Sequence, residues 1–284
     1  MAADNALHKQ SERHPDGWGV AYYVEGAPHV TKSAAGAMDD ALFRRVSGIV
    51  SSETVVAHIR KATQGPMTVL NSHPFQYGRW VMAHNGDIPR FGEVRERLEA
   101  AIAPRLRRFI LGDTDSERIF FLFLTELSKH GELGGRLGVD EVTQSLRETV
   151  ALVRQIADAA VGSDRDAAVG SGDGPADGAG CATAAGRSLL TLLVTNGQVM
   201  AAHHGGKELY FSTWKRRCAD RDLCPSLSAA CEAPSTSGHV NHLLIASEPL
   251  QGENVWEPLS EGDIVGVDWR MRLVRERASV AAPA

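Results

Sequence analysis

The order of the helical and strand-like patterns constrains the fold of this sequence more than any other feature. Two long helical patterns, at residues 115–130 and 140–160, stand between groups of short strand patterns, and a short helix is predicted over residues 41–46. Strands that alternate one by one with helices would favour a parallel sheet, whereas strands grouped before and after the helices favour antiparallel sheets. The sequence therefore predicts an α+β fold.

The strand patterns are short runs rich in Val, Ile, Leu and aromatic residues. They lie at residues 17–25, 29–32, 54–59, 80–84, 188–195, 209–212, 242–246 and 264–267. A turn at Gly26 would join the first two as a hairpin, and Asn85-Gly86 and Asn196-Gly197 are turn dipeptides that would end two other strands.

Composition excludes several classes of protein. Hydrophobic residues make up 43% and charged residues 23% of the 284 residues, as in ordinary globular proteins. A net charge of −5 argues against nucleic-acid binding as the main function. No apolar run approaches the ~20 residues of a membrane span, and no signal peptide is visible. Four cysteines are too few for a disulfide framework, so a cytoplasmic protein without a membrane partner is expected.

One segment has a composition of its own. Of the 25 residues at 162–186, 22 are Gly, Ala, Ser, Asp, Thr or Pro. Such a segment has almost nothing to bury, so it is predicted to be a flexible insertion. The remainder of residues 1–284 shows no sign of a second domain.

Four short stretches in the first 120 residues are candidates for a functional site. They are His14-Pro15-Asp16-Gly17-Trp18-Gly19, His58-Ile59-Arg60-Lys61-Ala62-Thr63, Asn71-Ser72-His73-Pro74-Phe75 with Ala83-His84-Asn85-Gly86, and Gly112-Asp113-Thr114-Asp115-Ser116-Glu117. Taken singly, each has a plain structural explanation. Asn85-Gly86 fits a hairpin turn and Thr114 or Asp115 fits a helix N-cap.

The histidines of these stretches also have two explanations. His58 and His84 each stand among apolar residues at a strand end, where a histidine is more often a satisfied core residue than a ligand. His58, His73 and His84 have a spacing that matches no standard zinc pattern. We therefore expect no metal and no cofactor.

In this order, the stretches resemble the class II glutamine amidotransferases, the N-terminal-nucleophile branch. The likeness is greatest to the small stand-alone members of ergothioneine synthesis and glutathione breakdown, and residues 246–250 (Ala-Ser-Glu-Pro-Leu) add to it. It covers residues 12–130 strongly and 188–270 loosely. The resemblance implies a four-layer αββα sandwich, with two antiparallel sheets between helical layers.

The resemblance also implies roles for particular residues. Arg60 would pair with the α-carboxylate of glutamine, and Asp115 would accept hydrogen bonds from its α-ammonium group. The Asn85 side chain and the Gly86 backbone N–H would form the oxyanion hole. Thr63 would line the glutamine pocket.

Two further residues are implied as supports of the pocket, His73 and Asp16. The sequence also departs from the family pattern beside the pocket. Lys61 and Gln64 stand where well-known synthase members have an aromatic residue and a histidine.

The implied reaction uses glutamine or a γ-glutamyl amide or peptide as substrate. A cysteine at the mature N-terminus would form a γ-glutamyl thioester, which water then hydrolyses. This sequence begins Met1-Ala2, and its cysteines are all internal: Cys181, Cys218, Cys224 and Cys231. We favour the interpretation that it starts at an internal Met and lacks the nucleophile strand. The alternative is a catalytically dead glutamine-binding or regulatory protein. For either function, the expected protein partner is a second copy of the chain in a homo-oligomer or a partner subunit.

Overall fold

A computed structural model describes residues 6–165 and 186–278 of the chain. Its helices are α1 (Leu7–Gln10), α2 (Ala41–Ile49), α3 (Phe91–Ala101), α4 (Pro104–Arg107), α5 (Asp115–Leu127) and α6 (Val139–Arg165). Its strands are β1 (Trp18–Val24), β2 (Ala27–Ser33), β3 (Val55–Ile59), β4 (Phe75–Tyr77), β5 (Trp80–Asp87), β6 (Leu189–Thr195), β7 (Met200–His203), β8 (Tyr210–Ser212), β9 (Leu244–Ala246), β10 (Glu257–Pro258), β11 (Ile264–Val267) and β12 (Leu273–Glu276).

The described strands form three sheets in which neighbouring strands are antiparallel. The largest has six strands in the order β12-β11-β7-β6-β5-β4. The others have three strands each, in the orders β2-β1-β3 and β10-β8-β9. The prediction of an α+β fold with antiparallel sheets is confirmed.

The main hydrophobic core lies between one face of the six-stranded sheet and the helices α3, α5 and α6. Trp80 and Met82 of β5 are fully buried there, and Trp80 packs edge-on against Phe123 of α5. All residues of α5 are buried, as its apolar residues on more than one face predict. Burying each large apolar side chain contributes about 1.5–3 kcal/mol, so this core holds α5 firmly against the sheet.

The three-stranded sheet of β1 has apolar residues on both faces. On one face, Trp18 packs edge-on against Phe43 of α2, and the indole N–H of Trp18 donates to Asp40, whose carboxylate caps the start of α2. On the opposite face, Tyr23 packs in one cluster with Val81 of β5. The alternation of side chains along β1 therefore connects it to both α2 and the six-stranded sheet.

The predicted turn at Asn85-Gly86 is wrong. Strand β5 continues to Asp87, with Asn85 opposite Thr191 and Gly86 opposite Leu190 of β6. A Cβ atom at Gly86 would overlap the carbonyl oxygen of Leu189, so the two strands can approach this closely only because residue 86 is a glycine. A long neighbouring strand has overridden a local turn preference.

The two other predicted turns are confirmed. Gly26 lies between β1 and β2 with a φ of +79°. Gly197 lies between β6 and β7 with a φ of +85°, and the side chain of Asn196 accepts hydrogen bonds from the backbone of Gln198 and Val199. Both glycines adopt the left-handed conformation that glycine tolerates best.

The second long helix differs in its ends from the expected 140–160. Helix α6 begins at Val139 and continues to Arg165, so the first four residues of the expected insertion at 162–186 are helical. Residues 166–185 of that segment lie outside the described residues. In the described part of the chain, no helix has the length and apolar character needed to cross a membrane.

Candidate functional site

Arg60 immediately follows β3 and is almost fully buried. Its guanidinium donates hydrogen bonds to two carbonyls of the following loop, that of Gln64 at 2.7 Å and that of Pro66 at 3.3 Å. Burial lowers the pKa of Arg60, while the carboxylates of Asp16 and Asp115 act to raise it. Among residues 6–165 and 186–278, Arg60 has no ion-pair partner within 4 Å, so its charge is held in place without being paired.

Asp115 is the first residue of α5 and is only 2% exposed. Its carboxylate accepts hydrogen bonds from the backbone N–H of Ile88 at 2.9 Å and of Ser116 at 2.7 Å. Burial raises the pKa of Asp115, and Asp87 adds to the rise, while His84 and the two backbone donors oppose it. The bond to Ile88 fixes the start of α5 to the chain that leaves β5.

The N-cap of α5 is Thr114, whose side chain accepts a hydrogen bond from the backbone of Glu117. Capping was one of two explanations for Thr114 and Asp115, and it holds for the threonine alone. Asp115 instead bonds to the end of another element, which a capping role does not need.

Asn85 and Gly86 lie near the end of β5, three and two residues before Ile88. The side chain of Asn85 is exposed, and in the described part of the chain it makes no hydrogen bond. It lies on the same face of β5 as Val81, the face towards the β1 sheet. An amide in this position has its two N–H donors available for a ligand.

The loop that follows Arg60 is fixed to two other parts of the chain. The carboxylate of Asp16 accepts a hydrogen bond from the backbone of Ala62 at 2.8 Å. The side chain of Gln64 donates to Asp87, the last residue of β5, at 3.1 Å. Thr63 lies between these anchors and is exposed. The structure thus brings Arg60, Thr63 and the end of β5 to one region.

The imidazole rings of His58, His73 and His84 pack together. The ring of His73 lies 4.4 Å from that of His58 and 6.4 Å from that of His84, measured between centroids. Neither nitrogen of His73 has a hydrogen-bond partner among the described residues. Burial lowers the pKa of His73 well below its ordinary value and that of His58 to about 3. Both rings are therefore neutral near pH 7, and His73 packs against Phe75 rather than facing an open pocket.

His84 differs from these two because both its ring nitrogens have partners. Nδ1 lies 2.9 Å from the hydroxyl of Ser116 in α5, and Nε2 lies 2.9 Å from the carbonyl oxygen of Leu189. His84 thus connects β5 to α5, as expected for a satisfied core histidine. Within residues 6–165 and 186–278, no group of three or more His, Cys, Asp or Glu side chains is arranged to hold a metal ion.

Several residues that support the site were missed by the sequence reasoning. Asn71 donates to the carbonyl of Pro66 at 2.9 Å and accepts from the backbone of Asp113 at 2.8 Å, so it connects the Arg60 loop to the segment before α5. Arg118, 2% exposed, donates to the carbonyl of Gly112 at 2.6 Å. The signal for Asn71 was its place in the Asn-Ser-His-Pro stretch, whereas Arg118 carried none.

The cysteines of the described residues belong to another part of the chain. Cys218, Cys224 and Cys231 are unpaired, and their hydrogen bonds are to residues between 215 and 241. Hydrogen bonds from Ser228 and Asn241 lower the pKa of Cys231. None of these contacts involves Arg60, Asn85 or Asp115.

Comparison with known proteins identifies the family. The family described as "Glutamine amidotransferases class-II" matches residues 5–161, more than half of the chain. YafJ of Escherichia coli, named "Putative glutamine amidotransferase", is 32% identical over 276 residues, which are 93% of this chain and 87% of YafJ.

Two other curated relatives match over shorter lengths. DUG3 of Saccharomyces cerevisiae, named "Probable glutamine amidotransferase", is 31% identical over 158 residues, 52% of this chain and 44% of DUG3. The γ-glutamyl-hercynylcysteine sulfoxide hydrolase of Mycobacterium tuberculosis is 36% identical over 83 residues, 29% of this chain and 36% of that protein. The chain therefore spans less than half the length of these two relatives.

Solved structures show the same fold at low sequence identity. A glutamine aminotransferase class-II domain protein from Silicibacter pomeroyi matches with a TM-score of 0.58 and 20% identity, over 93% of this chain and 96% of that chain. The glutamine phosphoribosylpyrophosphate amidotransferase of B. subtilis matches with a TM-score of 0.56 and 13% identity, over 96% of this chain and 45% of that chain. The family match and the extended similarity to YafJ show that this chain belongs to the class-II glutamine amidotransferases.

Proposed function

We propose that this chain binds glutamine or a γ-glutamyl amide and hydrolyses the γ-amide bond. The observation that carries the proposal is the pair of buried opposite charges on Arg60 and Asp115. They influence each other electrostatically, yet they form no ion pair with each other in the described structure. An α-amino acid carries a carboxylate for the first and an ammonium group for the second, so it would bridge them.

The free amide of Asn85 supports a role in the chemical step. In our proposal, this amide and the backbone N–H of Gly86 stabilise the negative charge that develops on the γ-carbonyl oxygen. Thr63 lines the same pocket. His73 and Asp16 support this pocket. His73 is buried, and Asp16 accepts a hydrogen bond from the backbone of Ala62.

The proposed nucleophile is the thiolate of a cysteine at the mature N-terminus. It attacks the γ-carbonyl carbon, the C–N bond breaks, and ammonia or an amine leaves with a proton. Water then attacks the resulting γ-glutamyl thioester, which releases glutamate and restores the thiol. Cys218, Cys224 and Cys231 are not suited to this role, because their contacts lie elsewhere. The reaction needs no cofactor.

The alternative is a chain that binds glutamine without hydrolysing it. The described residues favour this only in that none of their cysteines contacts Arg60, Asn85 or Asp115. Both functions require Arg60 and Asp115, so they differ in turnover and not in binding.

The proposal extends to the architecture. Contacts of the β1 sheet with α2 and with the six-stranded sheet, and of that sheet with α3, α5 and α6, support a four-layer αββα sandwich in a single domain. The unpaired cysteines of the described residues support a reducing compartment such as the cytoplasm. The name of the mycobacterial relative supports a γ-glutamyl amide as substrate.

Calorimetric titration with L-glutamine tests the binding step on the chain as it is. Replacing Arg60 by Lys substitutes a point charge for a planar fork, so binding should weaken by roughly 1.5–3 kcal/mol. The matched control is Arg105→Lys, at an exposed position of α4. Equal affinity of the Arg60→Lys variant and the wild-type chain would remove Arg60 from the site.

A further inference from the structure

A cavity lies outside the Arg60–Asp115 region. It has a volume of about 510 Å³ and lies where β2 and β4 are the outer strands of their sheets, beside the first half of α5. Its walls include Lys32 of β2, Phe75 of β4, and Glu117 of α5. Neither Arg60 nor Asp115 lines it. The volume is in the range of small-molecule sites.

The rim of this cavity is apolar and exposed. It consists of Val69, Leu70, Phe109 and Leu111, which are 47%, 50%, 38% and 68% exposed. Large apolar side chains scattered singly over a surface are ordinary, whereas a group around one cavity marks a place where something apolar binds. We call these four residues the rim.

The floor of the cavity carries one cation that no carboxylate neutralises. The ammonium group of Lys32 donates to the carbonyl oxygen of Ser72 at 3.0 Å and lies 5.6 Å from the centre of the Phe75 ring. Within the described residues it forms no ion pair, and burial lowers its pKa although Glu117 acts to raise it. An ammonium group has three N–H donors, so the bond to Ser72 leaves donors for a ligand.

The nearby carboxylate, in contrast, is fully engaged. The two oxygens of Glu117 accept hydrogen bonds from the backbone of Leu111 at 3.0 Å and of Gly112 at 2.8 Å, and Arg118 lies 3.4 Å away. The negative charge of Glu117 is thus compensated by its own surroundings. The charge that remains for a ligand in this cavity is positive.

We propose that this cavity binds a small organic carboxylate with an apolar body, its carboxylate on Lys32 and its body against the rim. A single lysine matches one negative charge, whereas a phosphate group is usually held by several donors such as arginines or a helix N-terminus. The side chains of the apolar rim offer no hydrogen-bond partner to a fully polar ligand such as an inorganic anion. This site is separate from the one that we propose for glutamine.

The test uses 3-phenylpropionate as the probe and 3-phenylpropanamide as its neutral counterpart, with affinities measured by NMR titration on the full chain. The carboxylate should bind roughly ten- to a hundredfold more tightly than the amide, because it forms a charge-assisted bond with Lys32. Lys32→Met should remove this preference, while Lys207→Met, at an exposed position, should keep it.

Two further variants keep the outcome unambiguous. Leu111→Ser changes an exposed rim residue, so the chain should fold and bind both probes more weakly. Arg60→Lys should leave the phenylpropionate affinity unchanged, and glutamine should not compete with the probe. The proposal is overturned if wild-type chain binds neither probe, if Lys32→Met keeps the preference, or if Arg60→Lys abolishes binding. The last result would place the probe in the glutamine site.

Discussion

Asn85 lies within a regular strand, yet its side-chain amide is available to bind a ligand. Its backbone pairs with Thr191 in a long strand ladder, while its amide has no partner in the described structure. The neighbouring His84 points to the other face and is fully bonded to Ser116 and Leu189. The strand therefore separates a residue that holds the structure together from one that is free to meet a ligand.

Asn85→Asp separates these two roles in an active form of the protein with a cysteine at its mature N-terminus. The strand does not need the amide, so the thermal unfolding temperature should hardly change. Turnover of a γ-glutamyl amide should fall by ~10²–10³ or more, because a donor is replaced by a negative charge. Gln76→Glu, an equivalent change at an exposed position of β4, is the control and should keep its turnover. Full turnover of Asn85→Asp would leave Asn85 without a catalytic role.

Asp115 should make glutamine binding sensitive to acid. Its raised pKa means that it takes up a proton at a higher pH than the ordinary 3.8. The protonated form cannot balance an ammonium group, so affinity should fall as the pH drops through this pKa, with a midpoint above 3.8. The contribution of Asp115 to folding stability depends on pH in the opposite direction. A raised carboxyl pKa stabilises the folded state at low pH, and this stabilisation is lost as the pH rises.

Titration calorimetry at a series of pH values, with circular dichroism to confirm folding, measures this midpoint. Asp115→Asn should bind weakly and without the acid-dependent loss. A midpoint at or below 3.8 in the wild-type chain would contradict the assignment of Asp115 to the ammonium group.

At the scale of the elements, the start of α5 is the part on which the site depends most. Glu117 holds the backbone of Leu111 and Gly112, while Arg118 holds the carbonyls of Gly112 and Thr114. Three of these four hydrogen bonds are buried, and together the four fix the segment that leads into Asp115. Such supports matter for our proposed role of Asp115, because the first turn of a helix lacks internal hydrogen-bond partners for its N–H groups.

Glu117→Gln should therefore destabilise the protein through α5. The amide replaces one acceptor by a donor and leaves a buried backbone N–H without its partner, which typically costs about 1–3 kcal/mol. Urea unfolding measures the loss, and Glu96→Gln, at an exposed position of α3, should show almost none. A difference below the error of the method would mean that this segment is held in another way.

Sequence reasoning predicted some elements well and others poorly, for physical reasons. Helix α5 was predicted because a run of Ile, Phe and Leu after Thr114 leaves few alternatives. The predicted strand ended at His84, earlier than β5 does, because Asn85-Gly86 has a strong local turn preference. Pairing with β6 overrides this preference in the folded chain. Strand β4 has only three residues, and five of the eleven residues of α3 are charged, so neither element stands out in the sequence.

The sequence named candidate site residues, whereas it named few of the residues that hold them in place. The four stretches named in the sequence, taken in order, select Arg60, Asn85 and Asp115 through their resemblance to one family. The hydrogen bonds of Asn71 with Asp113 and of Arg118 with Glu99 join residues more than 10 positions apart in the sequence. A further bond of Arg118 reaches the backbone carbonyl of Gly112 in a loop. Such contacts depend on the folded path of the chain and leave no pattern in the sequence.

At the scale of the whole molecule, buried neutral histidines connect stability to pH. The rings of His58 and His73 pack against each other, and His203 of β7 is 3% exposed with Nδ1 2.9 Å from the carbonyl oxygen of Leu190. Burial lowers the pKa of His203 to about 4 from 6.5. Because the unfolded chain takes up these protons more readily, stability is fully present above pH 6.5 and is lost as the pH falls towards the folded-state values.

The free energy of unfolding, measured in urea from neutral to acidic pH, should therefore decline below about pH 6.5. His203→Gln should flatten this decline by an amount on the order of 3 kcal/mol across the range, since a shift of one pKa unit corresponds to 1.36 kcal/mol. His239→Gln, at an exposed position, should leave the pH profile unchanged. An identical decline in His203→Gln and the wild-type chain would contradict this account.

The two carbonyls that hold Arg60 have a consequence for the energetics of recognition. A free arginine side chain samples many rotamers, and ordering it takes roughly 1.5–2 kcal/mol. Here Gln64 and Pro66 order it before any ligand arrives, and Asn71 holds Pro66 in turn. The side chain is therefore ordered when the chain folds, and under our proposal a ligand carboxylate would meet a guanidinium that is already in position. Loosening the Pro66 carbonyl would thus weaken binding by entropy alone, with every contact to the ligand unchanged.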